Sequence, residues 1–171
     1  DELWDLLARE NVEAGRIEEL YDQPRKAGLD QQFLADLKQW RLILANAFAL
    51  RTPVLAGDLP RLTLVSQQLL DRLIFTRMLE TWRLTEWNKL ARAFVSYDTF
   101  FGNQDSPKPF AEFLRESLFA EIKDNFNTEL FEQPLLCDGL PIDNQAIAIV
   151  IGHEPLAPEV AAQCGLAGGQ G

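Results

Sequence analysis

Between residues 67 and 84 the chain reads QQLLDRLIFTRMLETWRL, apolar over most of its length with Asp71, Arg72, Arg77 and Glu80 set inside. A helix that is apolar nearly all round belongs in the interior of a protein. Charges inside such a helix are tolerated when they find partners. The pattern therefore predicts a central, buried, ion-paired helix over residues 62–82, with Leu73, Phe75 and Met78 touching several other helices. Arg77 and Glu80 stand three apart, where side chains share a face and can pair. Asp71 and Arg72 point in different directions and need partners on neighbouring helices. These four charges read as structural ion pairs that fix how helices register.

The rest of the chain shows the same period. Leu3, Leu6, Leu7, Val12 and Ile17 lie among acids and predict one amphipathic helix or two short ones, broken near Gly15. Residues 21–29, YDQPRKAGL, read as a connector, with Asp30 as the N-cap of a long helix running to about Leu50. That helix carries Phe33, Leu34, Leu37, Trp40, Leu44 and Phe48 at helical spacing. Residues 52–60 predict a loop with two prolines. A further helical stretch covers 84–97, with Trp87, Leu90, Ala91 and Phe94 on one side. The polar cluster GNQDSPKP over 102–109 is a turn, and 110–126 is amphipathic again. Residues 125–140 read as irregular. The apolar run 144–151 could be a strand or a short helix, with helix the favoured reading, and Asp143 or Asn144 could cap it. From Gly152 on, Pro and Gly take over, and a flexible, disordered tail is expected over 152–171. The resulting fold class is all-α, an irregular multi-helix bundle around the central helix. Its parts are an N-terminal segment and connector (1–28), a helical domain (30–151) and the tail.

Composition adds a core and a charge gradient. Of 171 residues, 47% are hydrophobic, including 11 Phe and 4 Trp, enough for one sizeable core. The formal charge of −10 is uneven. Residues 1–36 hold 10 acids and 4 bases, residues 37–92 hold 4 acids and 9 bases, and residues 93–171 hold 12 acids and 3 bases. Only the middle block could face a polyanion. Within it Arg41, Arg51, Arg61, Lys89 and Arg92 flank the central helix and are the candidate nucleic-acid contacts, although an ordinary solvated surface explains them as well. Cys137 and Cys164 read as free thiols rather than a bridge. The longest apolar run, 146–151, is far too short to span a membrane. The N-terminus is acidic, unlike a signal peptide, and the opening on Asp1 reads as a chain cut from something longer.

A search for chemistry returns little. The single histidine, His153, stands in a Gly-His-Glu-Pro turn with no Cys or His beside it. The chain has no phosphate-cradling GxxxxGK[ST], no GxGxxG after a strand and no GxSxG nucleophile turn. Glu121-Ile122-Lys123 has the E-x-K form of metal-dependent nucleases. It lies in an amphipathic helical stretch, where a solvated face is the expected reading. No catalytic, cofactor-binding or metal-binding residue is assigned.

The run 69–80, LLDRLIFTRMLE, resembles the "LLDRLIFIRFLED" helix of the fused restriction–modification enzymes of types IIG and IIL, and of related adenine methyltransferases of phage defence. Upstream, residues 33–41, FLADLKQWR, are similar to the "F…L..WR..LA" helix that precedes it there. Downstream, NTELF over 127–131 is similar to the "N.GLF" turn before the methyltransferase domain, and residues 134–151 match a loose "…L.ID...L..II" pattern. The ordered set covers about residues 30–151. The chain departs from the family where many members read "LEDRG" and this one reads LETWR over 79–83, so the acid at 81 and the ion pair it would make are missing. Thr128 and Glu129 replace the glycines of the downstream turn.

The resemblance implies a non-catalytic helical connector between an upstream nuclease and a downstream adenine methyltransferase, with weak contacts to the DNA backbone. The whole parent would be a cytoplasmic, site-specific DNA adenine methyltransferase with endonuclease activity, serving bacterial defence. It would use S-adenosylmethionine and Mg, neither held by this fragment, and would have no membrane partner. Two other readings stay open: a stand-alone helical adaptor that binds a protein partner, and a small enzyme built on His153.

Overall fold

The computed structural model describes residues 24–152, apart from 103, 106, 107, 127 and 133; for residues 24–30 it describes the backbone alone. The expectations for residues 1–20, for His153, for Cys164 and for the tail after Gly152 lie outside the described residues. Among the described residues the chain is all-α, without a strand. The described residues form six α-helices, α1 (Pro24–Arg51), α2 (Leu59–Thr81), α3 (Lys89–Phe101), α4 (Phe110–Leu114), α5 (Ala120–Asn125) and α6 (Asn144–Val150), with short 3-10 turns between α1 and α2 and between α5 and α6. No helix among the described residues is long and apolar enough to cross a membrane. The chain forms two compact units, Asp1–Lys38 and Gln39–Gly171.

The long first helix begins earlier than its capping signals suggest. Residues 24–29 are helix rather than connector, and Asp30 lies inside α1 rather than at its cap. Pro24 stands at the first helical position, where its fixed φ suits the turn and its missing N–H costs nothing. Gly28 weakens a helix interior by about 1 kcal/mol without breaking it. In the first unit Phe33 and Leu34 are exposed, contrary to the helical spacing that put them in the core. In the second unit the buried stripe of α1 is Ile43, Leu44, Ala47 and Phe48.

Helix α2 is the centre of the second unit. Asp58 caps it by accepting from the Arg61 N–H at 3.1 Å, and Pro60 sits in its first turn. It buries Val65, Leu69, Leu70, Leu73 and Leu79, and beside them the polar Ser66, Arg72, Thr76 and Glu80. Ser66 and Thr76 return their hydroxyls to carbonyls one turn back. The two other residues expected in the core are less covered. Phe75 is half-buried, and Met78 is 39% exposed because it falls on the solvent side of the helix, opposite buried Glu80.

The predicted helix over 84–97 is displaced. Residues 82–88 form a fixed loop, and α3 runs from Lys89 to Phe101. Helix α2 ends in a Schellman motif: the Leu84 N–H donates to the Leu79 carbonyl at 2.9 Å and the Arg83 N–H to the Glu80 carbonyl at 3.1 Å. Arg83 takes the left-handed backbone the motif needs, φ 58°, and Asn88 takes a second at φ 61°. The sequence pattern ends the central helix at 82, but neither Gly nor Pro marks a loop after it, so helix is expected to resume at 84 rather than at 89. Trp82, Leu84 and Trp87 are left exposed.

Helices α4 and α5 form one run, residues 110–125, interrupted by a π-helical turn at Arg115–Phe119. The E-x-K of residues 121–123 lies in α5. Phe94, Tyr97, Phe101, Phe110 and Phe113 pack together, with Phe94 edge-on to Phe110 at 5.0 Å between centroids. Asn144 ties this cluster to α6: its amide donates to the Tyr97 hydroxyl at 2.8 Å and its carbonyl accepts the Phe110 N–H at 2.9 Å. Asp143 is the cap of α6, accepting from the Gln145 N–H at 2.9 Å.

Candidate functional site

Arg72 is one of the largest fully buried side chains, 1% exposed. A guanidinium there must place its N–H groups on acceptors, because an orphaned buried charge costs several kcal/mol. Its partners lie in the irregular segment that follows α5, not on a neighbouring helix as the sequence suggested. Nε donates to the Leu130 carbonyl at 2.9 Å and Nη2 to the Glu132 carbonyl at 3.2 Å. Both terminal nitrogens reach Asp138, at 2.6 and 3.3 Å. The fork geometry of guanidinium and carboxylate makes this the strong kind of ion pair. The Phe119 and Phe131 rings lie 5.6 and 5.9 Å from the guanidinium carbon and shield it from water.

Asp138 is itself fixed by its place in the 3-10 turn Leu136–Gly139. Its Oδ2 also accepts the Leu135 N–H at 2.8 Å, and its carbonyl accepts from Arg115 at 2.9 Å. A second tie lies at the far end of α2. Glu80, 0% exposed, accepts from Arg77 at 2.7 Å and from the Leu90 N–H at the start of α3 at 2.8 Å. Arg77 also donates to the Ile151 carbonyl at 2.7 Å and to the Asn88 side chain at 3.4 Å. Asp71 behaves differently from the expectation: it accepts from Gln67, one turn earlier on the same helix, at 2.6 Å. Its half-buried position leaves room for water, so it does not need a partner from another helix.

The five candidate DNA contacts are not equally available. Arg51 pairs with Asp143 at 3.1 Å, Arg92 with Glu86 at 2.7 Å, and Lys89 with Glu121. Arg61 is exposed, and Arg41 is exposed and reaches the Gln67 side chain at 3.5 Å. Among the described residues neither is in an ion pair. The acids that neutralise Arg51 and Lys89 come from residues 93–171, the acidic block, which sequence distance concealed.

The described residues hold no group of three or more His, Cys, Asp or Glu placed to take a metal. Cys137 is a buried free thiol. Burial, then the Asp138 charge, pushes its pKa up from 9.0 to about 12, so the nucleophilic thiolate is suppressed. Beside these groups lies a cavity of about 260 Å³ between α2, the π-helical turn and residues 137–142. Arg115 and Glu112 stand at it with Asp138, over apolar residues that include Leu69, Phe119 and Ile142. Sequence reading missed Asp138, Arg115 and Gly139, each a common residue whose role depends on a long-range fold.

No protein-family model, no curated protein and no solved structure matches the chain.

Proposed function

We propose that this chain is a non-catalytic helical connector from a DNA restriction–methylation enzyme. The observation that carries the reading is where the resembling segments meet. The arginines of the "LLDRLIF"-like helix bind the two downstream segments: Arg72 reaches Leu130 and Glu132 in and after the NTELF turn, and Asp138 beyond it. Arg77 reaches Ile151 at the end of the "ID…II"-like stretch. An ordered set of short motifs otherwise looks arbitrary; here three of its segments are joined by two polar ties, one at Arg72 and one at Arg77. A second support is position 83, where the family pattern has glycine and this chain holds a left-handed backbone.

On this reading the charged residues of α2 are spent on holding segments of the domain in register. The role is mechanical: a fixed spacer between an upstream nuclease and a downstream adenine methyltransferase, in the cytoplasm, with slight contact to DNA phosphates. S-adenosylmethionine and Mg would be held by the flanking domains. The alternative of a stand-alone adaptor for a protein partner draws on the exposed Trp82, Leu84 and Trp87.

Two measurements test the proposal. Calorimetry of this chain with S-adenosylmethionine should give no heat of binding; micromolar affinity would overturn it. The full reading frame around the chain, expressed in a methylation-deficient host, should protect plasmid DNA by adenine methylation. A frame that ends close to the chain on both sides favours the adaptor.

A further inference from the structure

Asp138 is followed by Gly139, the one place in the chain where an aspartate or asparagine precedes a glycine. In an unconstrained chain such a pair rearranges. The glycine nitrogen attacks the side-chain carboxyl carbon: an N–C bond forms, a C–O bond breaks, and the amide proton leaves with the hydroxyl as water. Water then opens the five-membered imide. Opening at the main-chain carbonyl leaves the backbone running through the side-chain carbon, an isoaspartate. One water is lost and one gained, and no other reactant enters. Glycine favours the attack because no Cβ obstructs its nitrogen and its backbone turns freely.

The fold holds this pair out of reach of that reaction. Gly139 is exposed, but the Asp138 side chain is only 8% exposed. Arg72 donates to its two oxygens at 2.6 and 3.3 Å, and the Leu135 N–H donates to Oδ2 at 2.8 Å. The bond to Leu135, three residues back, turns the carboxyl group away from the Gly139 nitrogen. The imide closes on the neutral acid, whereas the partner of Arg72 is a carboxylate. Arg115 donates to the Asp138 carbonyl at 2.9 Å, which fixes the peptide that must rotate before attack. We propose that Asp138–Gly139 is a covalent modification site closed by the Arg72 tie, and that it rearranges to isoaspartate when the tie opens. The change is one-way for the fold. It moves one carbon from the side chain into the backbone, so the shortened carboxyl group no longer fits the fork of Arg72, and a buried guanidinium loses its counter-charge. The site records opening of the segment between α5 and α6, and it is independent of the connector reading.

The test is incubation of the whole chain at neutral pH, in native buffer and in concentrated urea, with isoaspartate at 138 measured by peptide mapping and mass spectrometry. Native protein should rearrange at least about tenfold more slowly than the chain in urea, because only molecules with the tie open react. Arg72→Met and the milder Arg72→Lys should each rearrange faster than the parent in native buffer, judged on whichever variant circular dichroism shows to be folded. Gly139→Ala meets nothing within 4 Å and should fold. Its added methyl group should slow the reaction in urea. Rearranged chains, purified and refolded, should unfold at lower urea than the parent. The proposal is overturned if the parent rearranges as fast in native buffer as in urea. It is equally overturned if a folded Arg72 variant matches the parent, if Gly139→Ala reacts as fast as the parent in urea, or if rearranged chains are as stable as the parent.

Discussion

At the scale of single residues, the buried arginine dominates. Arg72 offers four hydrogen bonds to three residues 58–66 positions away. Its removal leaves the Asp138 carboxylate with the Leu135 N–H but no counter-charge, and takes the Arg72 donors from two carbonyls. Arg72→Met is expected to destabilise the protein by about 3–5 kcal/mol, the range for breaking one side of a buried pair. Adding Asp138→Asn should recover part of that loss, since the orphaned charge is gone while the orphaned carbonyls remain. Denaturant unfolding of the two single variants and the double variant measures the coupling; simple additivity would show that the pair is not the source.

Cys137 gives a pH signature at the same scale. Its folded-state pKa is raised, so the folded protein keeps a proton that the unfolded chain gives up. The stabilisation is complete below the ordinary value of 9.0 and is lost as pH rises toward about 12. Unfolding free energy should therefore fall across this window. Cys137→Ala should fall less steeply than the parent, and parallel profiles would show that the thiol is not the titrating group. At the surface, Lys108 is raised and Glu116 lowered, each chiefly by their mutual hydrogen bond. Both are solvent-facing, and this pair is not expected to matter for stability.

At the scale of elements, the α2–α3 loop shows how a helix ends without a sequence stop. Leu79 and Glu80 offer carbonyls to Leu84 and Arg83, and buried Glu80 holds the Leu90 N–H in the first turn of α3. The loop is thus determined from both sides, and Arg83 is forced into left-handed backbone. A non-glycine residue there costs about 1–2 kcal/mol. Arg83→Gly is expected to stabilise the protein by about 1 kcal/mol, the extra unfolded-state entropy of glycine offsetting part of the relief. A loss of stability on that substitution, measured by chemical unfolding, would mean that the Arg83 side chain holds the loop.

At the scale of the whole molecule, charge decides what partners can approach. Residues 37–92 carry the positive excess, yet Arg51 and Lys89 are answered by Asp143 and Glu121 from the acidic remainder. Arg41 and Arg61 are left as the exposed candidates. With so few phosphate contacts, DNA binding should be weak, independent of sequence and abolished by salt. Gel shifts on unrelated duplexes at rising ionic strength measure it. Tight binding that survives physiological salt would show that this domain reads DNA itself.

The sequence by itself determined the helical class, the identity of α2 as the central helix, the apolar stripe of α1 from Leu44 to Phe48, and a cap at Asp143 or Asn144, of which the structure selects Asp143. These are local matters: a 3.6-residue period and a side chain reaching a backbone N–H two residues on are written within one turn of helix. The Arg77–Glu80 pair was legible for the same reason. Tertiary structure alone decided the rest. That Arg72 needed a partner followed from its apolar surroundings, but that the partner is Asp138, in a turn 66 residues later, required the chain to fold back. The start of α3 at Lys89 rather than 84 depends on Glu80 being buried beneath α3, and the exposure of Met78 on which side of α2 the core falls. The cavity at Arg115 arises only where three segments fail to fill the space between them, and no period or motif in the chain encodes such a gap.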